Sequence, residues 1–395
     1  MKKWLIIFSL ICGVSFIISA AIAGQVYYKE LNTYTDYDKQ ELDINALQSI
    51  YIDSQIPIQV EVTEGKPYVE FNQSFIDLLG MAPEFELEIK TKGNSTYIDL
   101  EQIKETTIYL GVQEDIASLT VYLPQKSYDT IQIQNNQYTY YSRRADHVIS
   151  LEDIDAKKVN IDVAYSEVSL KGNYEQILTH MDSGVLEIHS NQPTQLEVGG
   201  NVKTNLTGQY ESIDIQDVYN REIYVDSEIP THIRLSSNHS DIKLRGKYDK
   251  INIEGYSNTI DAKSDSVCKI MVENEDGYIN LNGAFEEIVV NDGEQASIDI
   301  QTTVIPECIK ILGYVTDPVS LTLPSNIKGF ELNYLGDPQY EEWNKVVSEF
   351  NVVEGVSPKG ERIYTYGDGS IPITIDANSD FRLEIIDGGY SSEVQ

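Results

Sequence analysis

The fold of this chain is decided by the octet LTGQYESI, residues 206–213, because its frame of residue types occurs four times. LKGNYEQI occupies residues 170–177, LRGKYDKI residues 244–251 and LNGAFEEI residues 281–288. The starts of these octets lie 36, 38 and 37 residues apart. Such a constant spacing indicates a repeat architecture, in which one small unit stacks on the next.

Short segments of alternating apolar and polar residues fill each repeat, as in Ile213-x-Ile215 and Ile233-x-Leu235. This alternation is typical of strands that turn one face to a core and the other to water. Asn, Ser, Asp and Gly are frequent in the linkers, as they are in turns. The sequence therefore predicts an all-β, single-chain β-solenoid (β-helix-like), whose rungs stack about 4.8 Å apart over a continuous apolar column.

The length of one rung has two possible values. A rung is either half a repeat, about 18–19 residues, or a four-sided coil of about 37 residues. Cys268 and Cys308 lie 40 residues apart, so they would be neighbours within disulfide reach in the longer coil and two rungs apart in the shorter one. A four-sided interior needs more large side chains than this sequence has. We therefore expect rungs of 18–19 residues, with atypical capping strands at both ends.

The octet itself has a structural interpretation. Its Leu ends one strand, its Gly permits a tight corner, its aromatic residue covers that corner, and its Ile begins the next strand. We expect no catalytic role for the acidic residues of the octet. The corner motif comprises Leu170, Gly172, Tyr174, Leu206, Gly208, Tyr210, Leu244, Gly246, Tyr248, Leu281, Gly283 and Phe285.

Acidic residues dominate the charge of the chain. Its 395 residues include 63 Asp and Glu against 29 Lys and Arg, which gives a formal net charge of −34. Such a surface repels nucleic acid phosphates and anionic lipid headgroups, so we expect no nucleic-acid binding, whereas cationic partners and divalent metal ions stay open. Three cysteines are too few for a disulfide framework in a chain of this length.

The N-terminus combines Lys2 and Lys3 with 20 uncharged residues, 4–23, which begin with Trp4. As a helix this stretch is about 30 Å long, which matches the hydrocarbon core of a bilayer. The lysines are expected on the cytoplasmic side, and the bulk of the chain outside. Residues 1–23 are therefore a single-pass transmembrane helix or, alternatively, a signal peptide cleaved after Ala23, in which case the protein is secreted.

Domain organisation follows from where the repeat pattern begins and ends. Residues 24–46 are polar and rich in Tyr, and we interpret them as a tether between the membrane and the domain. We expect one further helix, around residues 338–350. A solenoid domain is predicted over residues 47–390, with an N-terminal cap at 47–110, a repeat array at 111–325, a C-terminal cap at 326–390 and a tail at 391–395.

Three segments carry a resemblance to a known family: SIYIDSQIPIQVEV (49–62), SLTVYLPQKSYDTIQIQ (118–134) and YGDGSIPITIDANSDFRLEI (366–385). They resemble the bacterial "putative adhesin" family, whose members are surface β-solenoid domains. The resemblance covers most of residues 47–390 and implies adhesion without any catalytic residue. The Ser-Gly-Asp turn usual in that family is replaced here by forms such as SSNHSDI (236–242), so no turn-based function is carried over.

One local segment, QYTYYSRR at residues 137–144, combines aromatic residues with the only paired arginines of the chain. Aromatic faces stack on sugars, and guanidinium groups bind carboxylates or phosphates through two parallel hydrogen bonds. The segment is either an ordinary surface strand or a ligand patch for an anionic cell-wall glycan. The candidate ligand-binding residues are Tyr138, Tyr140, Tyr141, Arg143 and Arg144.

Two acidic sets invite an enzymatic interpretation, because solenoid-fold polysaccharide enzymes use paired carboxylates. Neither set has a companion cluster of Arg, Lys and His, so solvated turn charge is the simpler reading. Ca²⁺ is the one cofactor left open, because it prefers several oxygen ligands, and no metal-binding residue is assigned. The two sets are Glu152, Asp153 and Asp155, and Glu273, Glu275 and Asp276.

These observations predict a non-catalytic extracytoplasmic surface protein, an adhesin-like binding or scaffold domain anchored to the bacterial membrane. Its partners would be the membrane, through the N-terminal helix, and a cell-wall glycan or a surface or membrane protein. One alternative is an envelope-stress or regulatory accessory that acts through a membrane-protein partner. The other is a solenoid-fold polysaccharide lyase or hydrolase.

Overall fold

This computed structural model describes residues 33–76, 84–104, 116–135, 147–291, 296–315, 318–335, 345–377 and 382–387, and the described chain is nearly all β. No helix in these ranges is long and apolar enough to cross a membrane. The predicted transmembrane helix, with Lys2, Lys3 and Trp4, lies outside them. The described residues contain a 3-10 turn at Ile44–Ala46. Their strands are β1 (Thr33–Glu41), β2 (Ser49–Ser54), β3 (Ile58–Thr63), β4 (Tyr68–Ile76), β5 (Glu84–Lys92), β6 (Ser95–Lys104), β7 (Ile116–Pro124), β8 (Ser127–Gln134), β9 (His147–Glu152), β10 (Asp155–Gly172), β11 (Tyr174–Gly199), β12 (Val202–Tyr219), β13 (Glu222–Asn238), β14 (Asp241–Tyr256), β15 (Asn258–Asn274), β16 (Gly277–Asn291), β17 (Ala296–Thr302), β18 (Cys308–Val315), β19 (Val319–Leu323), β20 (Gly329–Tyr334), β21 (Lys345–Ser348), β22 (Val353–Val356), β23 (Arg362–Gly367), β24 (Ile371–Ala377) and β25 (Arg382–Asp387).

The chain forms two compact units, where the sequence predicted a single domain over residues 47–390. The first unit consists of residues 1–124 and 134–146. In it β2 pairs with β6 and β3 with β7 in parallel, while β4 lies antiparallel between β1 and β7. The predicted tether is therefore wrong at its C-terminal end: residues 33–41 form β1, because their backbone groups pair with β4 along its whole length.

The second unit consists of residues 125–133 and 147–395. Its strands from β9 to β19 pair in parallel, one rung on the next. Ala156 pairs with Tyr174, 18 residues later, and Thr204 pairs with Ile223, 19 residues later. These registers give the shorter of the two rung lengths and confirm a solenoid-like, all-β fold. Cys268 and Cys308 accordingly do not pair, because the rung of Phe285 and Glu287 lies between them and both thiols are free.

Each rung has two straight segments joined by two corners. The segments alternate buried and exposed side chains, as in β12, so the inward Ile, Leu and Val residues of both segments form one core. Burial of each of these side chains stabilises the folded state by about 1.5–3 kcal/mol. We call the sheet of residues 185–190, 202–208, 222–227, 241–246 and their neighbours face A, and the sheet of residues 195–199, 212–216, 232–237, 250–255 and their neighbours face B.

The corner from face A to face B explains why the sequence repeats every two rungs. On one rung it has the Leu-x-Gly-x-aromatic motif, and on the next it has Ser followed four residues later by Thr or Cys. Register places each small residue against an aromatic one: Thr194 beside Tyr210, Thr231 beside Tyr248 and Cys268 beside Phe285. A ring on every rung would crowd the corner, so large and small side chains alternate.

The aromatic ring lies inside the corner and is fully buried. The hydroxyl group of Tyr210 donates to the carbonyl oxygen of Ile188 at 2.9 Å, on the rung before, and to that of Thr207 at 3.0 Å. Tyr248 repeats the bond with Val225 at 2.9 Å. Each tyrosine thus ties two rungs together, and burial raises the pKa of the Tyr210 hydroxyl because ionisation there would leave an unsolvated charge.

The glycine of the motif permits the rungs to approach closely. Gly208 has φ +105°, and a Cβ atom there would lie 2.1 Å from the carbonyl oxygen of Ser190 on the preceding rung. Gly246 and Gly283 also have positive φ. Gly172 does not, and there a side chain is excluded because its Cβ would lie too close to the carbonyl oxygen of Ile154. Strand pairing at this corner therefore requires glycine on every second rung.

The C-terminal cap does not follow chain order. Strand β24 pairs in parallel with both β18 and β20, and β25 pairs with both β19 and β21, so the last rung lies between two earlier ones. Antiparallel β23 and β22 then extend face B. The helix predicted around residues 338–350 is wrong for residues 345–348, which form β21, because Val346 pairs with Leu383; residues 336–344 lie outside the described ranges.

Candidate binding site at the aromatic corner

The sequence-predicted ligand patch cannot be placed. Residues 136–146, which include Tyr138, Tyr140, Tyr141, Arg143 and Arg144, lie outside the part of the chain that the structure describes.

One residue of each acidic set of the sequence analysis accepts hydrogen bonds at a turn. Asp155 accepts hydrogen bonds from the backbone N–H of Asn173 at 3.1 Å and from its side-chain Nδ2 at 2.7 Å. Asp276 accepts from the N–H of Gly277 at 2.7 Å. Within the described ranges, no group of three or more His, Cys, Asp or Glu side chains is arranged to hold a metal ion. Neither set is supported as an acid/base pair or a calcium site.

Three exposed aromatic side chains meet instead at the corner from face B back to face A. The rings of Tyr219 and His239 have centroids 5.2 Å apart at 75°, and those of His239 and Tyr256 lie 5.3 Å apart at 81°. Each ring comes from a different rung. The side chains of Tyr219 and Tyr256 are 54% and 42% exposed, so their faces are open to a ligand. We call these three residues the aromatic corner.

Backbone geometry places the rings. Asn220, His239 and Ser257 have φ of 54°, 54° and 56°, the left-handed region that non-glycine residues seldom adopt. The N–H of Asn220 donates to the carbonyl oxygen of Asn238, and the N–H of His239 to that of Tyr256, both at 2.9 Å. The same left-handed turn recurs on successive rungs, with Tyr219 and Tyr256 directly before the left-handed residue and His239 at it.

A network of buried, hydrogen-bonded polar residues lies beneath the aromatic corner. The side-chain Nδ2 of Asn258 donates to the carbonyl oxygen of Ser237 at 2.8 Å and to Asn274 Oδ1 at 3.1 Å. Its Oδ1 accepts from the N–H of Ser240 at 2.9 Å. These four side chains are at most 2% exposed. Because every rung at the corner is tied to its neighbour, the aromatic corner is held on a rigid base.

Polar groups continue the site toward earlier rungs. Arg221 donates from Nη2 to Ser183 Oγ at 2.9 Å and from Nε to the carbonyl oxygen of Asn201 at 3.3 Å. Asn201 Oδ1 accepts from the N–H of Tyr219 at 2.9 Å. The exposed groups of the arrangement offer aromatic faces for stacking and polar groups for hydrogen bonds.

The sequence analysis did not identify this site, although a signal for it was present. The turn SSNHSDI, residues 236–242, contains His239, and we treated it only as a degraded family turn. Tyr219 and Tyr256 occupy the equivalent turns on the rungs before and after. Alignment of the turns by an 18–19-residue rung, and not by the 37-residue repeat, would have brought Tyr219, Asn238 and Tyr256 into one column, with His239 one position further along the turn.

No model of a known protein family matches this sequence, and no curated protein matches it. Among solved structures, a "putative cell adhesion protein" from Clostridium sporogenes is similar over 90% of this chain and 100% of its own, with 9% identity and a TM-score of 0.19. A TM-score this low does not establish a common fold.

Proposed function

We propose that this protein is a non-catalytic, adhesin-like binding protein of the bacterial surface, and that its aromatic corner binds sugar rings of the cell wall. The observation that carries the proposal is the ladder of three exposed aromatic rings on a buried hydrogen-bonded base. Tyr219 and Tyr256 lie two rungs apart, about 9.6 Å at the strand spacing, which is roughly the length of a disaccharide.

Export and membrane anchoring complete this proposal. The lysines and the apolar stretch of residues 1–23 favour an anchor or a cleaved signal peptide, and both put the second unit outside the cytoplasm. At the surface, a stiff solenoid with many exposed acids stays soluble and presents its corners to the wall.

Co-sedimentation of the purified full chain with isolated cell walls, with and without calcium, tests the proposal. We expect saturable binding. The double variant Tyr219→Ala, Tyr256→Ala should weaken it about thirtyfold, since each stacked ring contributes about 1 kcal/mol. Calcium dependence would show in addition that acidic groups bind through metal bridges.

A matched control is available at the same kind of corner. Tyr165, at 55% exposure, is as open as Tyr219 and has no aromatic neighbour among the described residues. Tyr165→Ala should leave binding unchanged. If it lowers binding as much as Tyr219→Ala, or if the unmodified chain does not bind in either condition, the proposal is wrong and a membrane-protein partner becomes the better explanation. Release of reducing ends from the walls would establish an enzyme instead.

A further inference from the structure

A second candidate site lies on face B, away from the aromatic corner. It is a shallow depression of about 320 Å³, at the lower end of the size range of small-molecule sites. Its lining includes Glu197, Asp214, Arg234, Lys250 and Asn252, which project outward from four successive rungs.

The two signs of charge are separated along this depression. Glu197 pairs in register with Asp214, Asp214 with Arg234, and the next rung brings Lys250. Acids therefore line one end and cations the other, with neighbouring rungs about 4.8 Å apart.

The positive charges at one end of the depression are not neutralised by a described carboxylate, although the protein is strongly acidic. In the part of the chain that the structure describes, neither Arg234 nor Lys250 has a carboxylate within 4.0 Å, although Lys269, in register beside Lys250, is paired with Glu287 at 3.1 Å. Asp214 bonds instead with Gln216 Nε2 at 3.0 Å. Because neither Arg234 nor Lys250 has a carboxylate partner among the described residues, an incoming carboxylate would be stabilised here by charge-assisted hydrogen bonds.

The floor of the depression also has an unmet hydrogen bond. Asn252 Oδ1 is buried and has no hydrogen-bond partner. Asn252 lies in register beside Arg234, on the same rung as Lys250, at the cationic end of the depression. A buried acceptor without a donor is costly, and because Asn252 as a residue is half-buried, a rotation of its side chain toward a ligand N–H would remove that cost.

From these observations we infer that the depression binds a short peptide in its zwitterionic form, with the ammonium group at Glu197 and Asp214, the carboxylate at Arg234 and Lys250, and a backbone N–H toward Asn252. An extended tripeptide spans about 10 Å, which matches two rung spacings. A zwitterion has no net charge, so the net charge of −34 does not repel it as it would a polyanion. The inference is independent of sugar binding at the aromatic corner.

Calorimetric titration of the full chain with trialanine and its end-blocked forms tests this inference. Trialanine should bind most tightly, and N-acetyl-trialanine and trialanine amide should each bind more weakly, because each lacks one charge. The variant Arg234→Gln, Lys250→Gln should lose about 5- to 30-fold in affinity for trialanine, as expected for two partly exposed charge contacts. The same variant should bind trialanine and its amide equally, since the partner of the carboxylate is gone.

Lys243→Gln, Lys263→Gln is the matched control, because it removes two exposed positive charges from face A and gives the same net charge. It should bind trialanine like the unmodified chain. The inference is overturned if trialanine shows no saturable binding at millimolar concentration, if the blocked forms bind as tightly as trialanine, or if the control variant loses as much affinity as Arg234→Gln, Lys250→Gln.

Discussion

The close approach of rungs at the A-to-B corner makes Gly208→Ala a sharp test of the fold. Gly208 has φ +105°, and its added Cβ would lie 2.1 Å from the carbonyl oxygen of Ser190. That atom belongs to backbone on the preceding rung, so the contact cannot be relieved by a side-chain rotation. The two rungs must separate at this point.

The expected cost has two parts. An alanine at this φ stores about 1–3 kcal/mol of backbone strain. Separation of the rungs by about 1 Å breaks or weakens about two ladder hydrogen bonds, at about 1 kcal/mol each. Gly208→Ala should therefore lower the free energy of unfolding by about 3–5 kcal/mol. Gly360→Ala is the control, because Gly360 has φ +89° but nothing within 4 Å of its added Cβ, and it should cost only the strain.

Urea unfolding of the two variants and the unmodified chain, followed by circular dichroism, measures the difference. We expect Gly208→Ala to exceed Gly360→Ala by about 2 kcal/mol, the contribution of the rung contact. Equal destabilisation by the two variants would refute the argument, because backbone conformation alone would then explain the glycine.

The remaining predictions concern the buried tyrosines. Tyr210→Phe removes the hydroxyl group that donates to the carbonyl oxygens of Ile188 and Thr207. The ring itself should still fit, because Phe285 is buried at the equivalent corner. The free energy of unfolding, measured in urea, should therefore fall by about 1–2 kcal/mol, and an unchanged unfolding midpoint would contradict this. Burial raises the pKa of Tyr122 to about 12, and it also raises the pKa of Tyr128, Tyr174, Tyr210 and Tyr248. Unfolded tyrosines ionise near pH 10 while these stay neutral, so stability is fully present below about pH 10 and is lost as the pH rises toward 12 and beyond. An ultraviolet titration should show Tyr128, Tyr174, Tyr210 and Tyr248 ionising only with unfolding, and free titration of these four in the folded protein would contradict their burial.

Much of the solenoid was predictable because its signals are local. Inward residues such as Ile213 and Ile215 alternate with polar ones, and this alternation reports a half-buried strand before any partner is known. Leu206, Gly208 and Tyr210 recur because each corner repeats the same packing problem. The predicted rung length followed from half the period, and the registers agree with it.

Other features depend on contacts that the sequence does not display. Residues 33–41 look like a polar tether because their apolar content is low, yet pairing with β4 makes them a strand. The stretch around residue 345 has helical composition, but β25 offers it a parallel partner. Insertion of β24 between β18 and β20 follows from a choice among many possible strand edges, which no local pattern encodes.

The sequence by itself therefore determined the class of the fold, the size of the rung and the identity of the corner residues, since each of these depends on periodicity within a few tens of residues. Only the tertiary structure decided which surface side chains meet. Tyr219, His239 and Tyr256 are 20 and 17 residues apart in sequence and become neighbours because left-handed turns stack in register. The charged residues at the two ends of the face B depression likewise come from four different rungs, which lie at the spacing of hydrogen-bonded strands.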